Sequence, residues 1–140
     1  CTLVLAILFS ANLFAQYPNT KVHTNISEDN GYLKKEYTVF NVSYTNPLMK
    51  KIYLYNKDGK RIEEVISMWN GKKGWADIKI YSYAYNEDKL ASIVYKGRNT
   101  LKDEWPSWSE HVIYTYDNNG SLLSVKKVKS EDIINMLSQK

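Results

Sequence analysis

Four turns built on Asn, Asp or Gly recur at near-equal steps along this chain, and each leads into an aliphatic residue and then a β-prone run. They are Asn30-Gly31-Tyr32-Leu33, Asp58-Gly59-Lys60-Arg61-Ile62, Glu87-Asp88-Lys89-Leu90 and Asn119-Gly120-Ser121-Leu122. From Leu33 to Ile62, to Leu90 and to Leu122 the steps are 29, 28 and 32 residues, a spacing that marks one repeated supersecondary unit. The runs entering the later turns alternate aliphatic or small residues with tyrosine, as in Ile52-Tyr53-Leu54-Tyr55, Ile80-Tyr81-Ser82-Tyr83-Ala84-Tyr85 and Ile113-Tyr114-Thr115-Tyr116. Period 2 is the strand signature, and an Asx-Gly turn between two such runs supplies the positive φ a tight hairpin needs. Each unit therefore reads as strand, turn, strand, with returning strands at 33–40, 62–69, 90–95 and 122–128. The segment at 20–28 lacks the tyrosine alternation, so the first unit is readable only as half a hairpin.

A chain of 140 residues is about one domain. Twelve Tyr and four Trp carry much of its hydrophobic content. A phenol presents an apolar ring and a wet tip, so such a chain covers a sheet without building a thick interior. The expected fold class is all-β: an antiparallel meander of repeated β-hairpins forming a twisted sheet, with a short C-terminal helix. That helix starts at Ser130 as cap, takes Glu131 and Asp132 in its first turn, and gathers Ile133, Ile134 and Leu137 on one face.

Residues 1–15 carry no charge and are mostly aliphatic, and polar sequence begins at Gln16-Tyr17-Pro18-Asn19. The run is short for a membrane span, which needs ~20 apolar residues. It suits the apolar part of a signal peptide truncated at its start, with Ala15 at the cleavage position. The expectation is a secreted or periplasmic protein whose single β-repeat domain occupies 16–140, with no membrane span in the mature chain. A lipid-anchored Cys1 fits less well, because apolar residues rather than a polar tether follow it. Cys1 is the only cysteine, so cleavage would leave no disulfide and no thiol nucleophile. The net charge of +4 comes from lysines and arginines spread through turns and strands, with no basic cluster longer than two. That distribution argues against nucleic acid and leaves an anionic glycan or lipid headgroup open.

Little in the sequence points to catalysis or to a cofactor. Asn56-Lys57-Asp58-Gly59 and Asp117-Asn118-Asn119-Gly120 begin like calcium loops, but the closing twelfth position is Ser67 in one and Val128 in the other. Hairpin turns explain both, and no metal is expected. His23 and His111 lie far apart in sequence, and there is no nucleophile elbow, H-E-x-x-H or phosphate loop. Glu63 and Glu64 are adjacent on a strand and so point to opposite faces. An enzyme is not expected; a small glycan hydrolase using Asp103, Glu104 or Glu110 is the catalytic alternative.

The aromatic residues supply the binding hypothesis. Two wide connections, 70–75 and 97–108, should emerge at one end of the sheet and bring Trp69, Trp75, Trp105 and Trp108 near one edge. Tyr83, Tyr85, Tyr114 and Tyr116 fall with Tyr53, Tyr55 and Tyr81 on one face if the hairpins stack in order. They form either cross-strand ladders that hold the sheet or a platform, rimmed by tryptophan, that takes a glycan or protein partner. A third role is purely structural: a repeat that builds a surface assembly through its edge strands.

The tyrosine-alternating strands, the D/N-x-x-G-x-L turns and the later Trp-bearing connection resemble the secreted Bacteroidetes proteins grouped as domain-of-unknown-function family 3836. The resemblance is carried by residues 53–62, 69–75, 81–90 and 114–122, behind Phe14-Ala15-Gln16. Residues 114–122 are also distantly similar to the tyrosine-aspartate repeats of bacterial surface proteins. The third unit departs from both patterns, with Asn86 and Lys89 where Asp and Gly are usual. The resemblance to family 3836 implies no activity.

Overall fold

The structure is a computed structural model that describes residues 19–43 and 45–130. It is one open sheet of eight antiparallel strands in sequence order. The strands are β1 (Thr20–Asp29), β2 (Tyr32–Asn41), β3 (Pro47–Tyr55), β4 (Arg61–Asn70), β5 (Gly74–Asn86), β6 (Lys89–Gly97), β7 (Glu110–Tyr116) and β8 (Leu122–Lys129). The returning strands expected from the repeat are β2, β4, β6 and β8. The expected leader at 1–15 and nearly all of the expected C-terminal helix lie outside the described residues.

The first unit is a whole hairpin. β1 pairs with β2 from Thr20↔Asn41 to Asp29↔Tyr32 without a break. Its turn has two residues, Asn30 (φ 51°) and Gly31 (φ 81°), both in the left-handed region that a primed hairpin turn requires. The third unit, β5 to β6, also turns in two residues, with Asn86 opposite Lys89 and Glu87 at φ 54°. The second and fourth units use a longer turn. The Asn56 side-chain oxygen accepts from the amides of Asp58 (3.1 Å) and Lys60 (2.9 Å), and Asp117 Oδ1 accepts from those of Asn119 (2.9 Å) and Ser121 (2.8 Å). Gly59 and Gly120 close the two turns at φ 76° and 82°. Turn type thus alternates along the sheet, which accounts for the departure of Asn86 and Lys89 from the pattern of the second and fourth units.

Residues opposite one another on neighbouring strands share a face. One face carries the row Val22, Val39, Met49, Met68 and a second row Ile26, Lys35, Tyr53, Glu64, Tyr81, Tyr95. Val39 and Met49 are buried there, with Tyr37, Leu48 and Ile66 packed against them. Tyr53 is buried beside them, its ring edge-on to Tyr37 at 5.8 Å and under the Arg61 guanidinium at 4.3 Å. The core therefore sits on β2, β3 and β4, displaced from the middle of the sheet toward the β1 edge.

Candidate functional site

Alternate connections of a meander leave from opposite ends, so the Asx turns gather at one end and the connections 42–46, 71–73 and 98–109 at the other. At that second end Asn70, Lys73, Trp75, Ala76, Asp77, Ile80, Arg98, Asp103 and Trp105 line a hollow of about 440 Å3. β5 begins at Gly74, so Trp75 is a strand residue and the connection before it is only three residues long. Trp75 stands opposite Trp69, their rings edge to face at 5.3 Å, and Lys50 Nζ lies 4.5 Å from the Trp75 ring centre. Ser67 donates its hydroxyl to Asp77 at 2.6 Å and fixes that carboxylate beside the aromatic pair.

The far wall comes from the long connection, which is ordered by its own bonds. Asn99 and Glu104 form an isolated bridge, and Asn99 Oδ1 accepts from the amides of Leu101 and Lys102. Asp103 is held by Arg98 Nη2 at 2.8 Å and faces Lys73 Nζ at 3.5 Å. The Arg98 amide donates to the Ile78 carbonyl at 2.8 Å, which ties this wall to β5. Trp105 follows and stays partly exposed.

Ile78 also decides which residues meet. Ile66 pairs with Lys79 and Ser67 with Asp77, so Ile78 is an extra residue in β5. Such a bulge resets the alternation of side chains. Trp75 and Asp77 share a face with Ile80, whereas Tyr81, Tyr83 and Tyr85 lie on the other. Trp75, expected at the rim of the tyrosine platform, therefore lies with Trp69 on the opposite face of the sheet from Tyr81, Tyr83 and Tyr85. Trp75 and Trp105 line the hollow, and Trp69 meets it only through its ring contact with Trp75. Trp108 does not line it, and its ring instead lies 4.8 Å from Lys129 Nζ.

Several tyrosine hydroxyls are bonded within the sheet. Tyr83 donates to Glu64 at 3.3 Å, Tyr85 to the Arg61 carbonyl at 2.7 Å and Tyr116 to the Leu90 carbonyl at 2.8 Å. Glu64 also meets Arg61 at 3.7 Å. Burial pushes the phenols of Tyr37, Tyr53, Tyr81 and Tyr83 above their ordinary range. Tyr114 lies opposite Val125 and, with Tyr116, lines a second hollow of about 470 Å3 at the Asx-turn end.

Of the carboxylates considered for catalysis, Asp103 is ion-paired as described, Glu110 meets Lys127 at 3.0 Å, and Glu104 is exposed. His111 shares a hydrogen bond with Ser109 at 2.9 Å. Among the described residues no three metal-ligating side chains converge, and no helix is long and apolar enough to cross a membrane. The polar lining of the hollow, Asn70, Lys73, Asp77 and Arg98, was not singled out from sequence. Lys73 and Arg98 were signalled by their place in the two Trp-bearing connections, while the bulge concealed Asp77.

No protein-family model matches this sequence, and neither does any curated protein. Among solved structures, a protein of unknown function from Bacteroides fragilis aligns with a TM-score of 0.51 at 22% identity, over 86% of this chain and 89% of that one. A DUF3836 family protein from Bacteroides vulgatus aligns with a TM-score of 0.44 at 20% identity, over 79% and 97%. Another, from Parabacteroides distasonis, gives 0.39 at 17%, over 81% and 97%. At these identities the B. fragilis alignment is a likeness of fold, and the two weaker alignments add nothing to it. The solved structures that this chain is similar to are Bacteroidetes proteins, two of them described as members of the DUF3836 family.

Proposed function

We propose that this protein is a secreted or periplasmic non-catalytic binding module of the DUF3836 type that takes a glycan in the hollow at the loop end of its sheet. The observation that carries the reading is the lining itself. Trp75 and Trp105 offer flat apolar faces, and Asn70, Asp77, Arg98 and Asp103 bring planar polar groups to the same space. A sugar ring has an apolar C–H face and a rim of hydroxyls, and a few convergent polar groups beside aromatic walls are what orient such a ligand. The carboxylates are engaged with cations or a serine hydroxyl, which suits positioning better than proton transfer. The uncharged apolar run at 1–15 supports export.

The test is a titration of the purified protein with bacterial, host-mucin and plant glycans, followed by tryptophan fluorescence. One class of sugar should give a saturable shift that Trp105→Ala abolishes in a folded protein. Unchanged affinity in that variant removes the hollow as the site.

A further inference from the structure

We infer that the β1 edge is a self-recognition surface: two copies of this chain pair β1 to β1, antiparallel about a two-fold axis at Thr24, and join their sheets into one.

The two edges of the sheet are not alike. β8 exposes Leu122, Leu123 and Val125, but it carries Lys126, Lys127 and Lys129, all of one sign, and its pairing with β7 is broken by a register shift at Tyr116. The charges of β1, Lys21, Glu28 and Asp29, are of both signs and lie at its ends. Charged edge residues and bulges both discourage strand addition. β1 pairs with β2 over ten residues with no shift, contains no proline, and presents Val22 (39% exposed) and Ile26 (58% exposed). The core is off-centre in the same direction, with its buried pair, Val39 and Met49, on the second and third strands from this edge. Joining two copies at β1 moves both cores to the centre of a sixteen-stranded sheet, twice the eight strands of one copy.

The strand is also complementary to itself. A two-fold axis perpendicular to the sheet keeps each face on its own side, so only residues of one face can be opposed. Val22, Thr24, Ile26 and Glu28 share the core face, through their partners Val39, Tyr37, Lys35 and Leu33. Any register centred on a residue satisfies the rule, and the residues it opposes decide between them. Centring on Asn25 would set Val22 against Glu28. Centring on Thr24 sets Val22 against Ile26 twice, His23 against Asn25 twice, and Thr24 against its own copy. The second register prolongs the row Met68, Met49, Val39, Val22 into Ile26 of the other copy, and apolar cross-strand pairs favour it.

The inference does not depend on any ligand in the hollow. Sedimentation velocity on the purified protein over a wide concentration range should show a reversible monomer–dimer equilibrium. Thr24→Lys places two ammonium groups face to face and should leave a folded monomer with unchanged circular dichroism, whose melting temperature no longer depends on protein concentration, while Leu123→Lys on β8 leaves the dimer intact. The register has its own readout: in a Cys1→Ser background, Thr24→Cys should oxidise to a disulfide-linked dimer, because opposed Cα atoms on paired strands lie within disulfide reach. Ile26→Cys in the same background should not. A wild-type protein that is monomeric at every concentration, or a dimer that Thr24→Lys leaves unaffected, overturns the proposal.

Discussion

Tyr85 donates its hydroxyl to the Arg61 carbonyl at 2.7 Å and so bonds the third hairpin to the second. Lys60 Nζ completes the joint, lying 5.5 Å from the Tyr85 ring centre and donating to the Glu87 carbonyl at 2.6 Å. One unit further on the same parts recur: Tyr116 donates to the Leu90 carbonyl, and Lys89 Nζ lies 5.1 Å from the Tyr116 ring and reaches the Gly120 carbonyl. The last tyrosine of a leading strand and a lysine at the turn end of the preceding returning strand thus clasp neighbouring hairpins. Tyr85→Phe and Tyr116→Phe should each lower stability by about 1 kcal/mol in urea unfolding. The joints share no residue, so the double variant should lose the sum.

Gly59 and Gly120 share a backbone conformation but differ in surroundings. A Cβ at Gly59 meets nothing, whereas one at Gly120 meets the Lys89 ammonium. Gly59→Ala should cost about 1–2 kcal/mol from the positive φ alone. Gly120→Ala should cost more, because it also dislodges Lys89. Glu87→Gly should raise stability by up to about 1 kcal/mol, since Glu87 occupies the left-handed region without a glycine's freedom. Thermal unfolding of the three variants checks the order.

Burial raises the phenol of Tyr53 above its ordinary value of 10.0, and Tyr37, Tyr81 and Tyr83 shift the same way for the same reason. Above pH 10.0 the unfolded chain gives up these protons and the folded chain keeps them, so stability present below that pH is lost as it rises. Lys51 acts oppositely: burial lowers its ammonium from 10.5, so the folded chain binds fewer protons and stability climbs with pH up to that value. The tyrosines outnumber it, and the net expectation is cooperative alkaline unfolding accompanied by tyrosinate absorbance. Tyr53→Phe should move that transition to higher pH relative to its own neutral stability. An unmoved transition would take the burden off Tyr53.

The Arg98–Asp103 pair holds a surface connection and not the core. Asp103→Ala should change global stability by less than about 1 kcal/mol, as for other partly exposed ion pairs. It should nevertheless hasten trypsin cleavage at Lys102, because the same carboxylate faces Lys73 across the hollow. Cleavage at the wild-type rate would mean that the Asn99 turn orders this segment alone.

Much of the fold was legible because turn chemistry and period 2 are local. Asn56 and Asp117 bond to amides within their own turns, so spacing alone located β4 and β8 to within a residue or two. β1 was half hidden because tyrosine alternation is a device of interior strands: Tyr53, Tyr81 and Tyr95 each have a neighbour on both sides, whereas among the described strands β1 has β2 alone. The site was harder to read. Trp75, Tyr81, Tyr83 and Tyr85 are all odd-numbered, and plain alternation puts them together. One unpaired residue, Ile78, separates them, and nothing in Asp77-Ile78-Lys79 announces it.

Among the described residues every strand pairs only with its neighbours in sequence. Such contacts close short loops, and chains dominated by them fold fast. As residues emerge in order from the ribosome or from a narrow channel, each hairpin can zip as soon as its second strand is free. No strand has to wait for a distant partner, and the growing edge is always the one just made. The β1 edge is therefore the first to be completed, once β2 has paired with it, and it remains open while the other six strands are still being laid down.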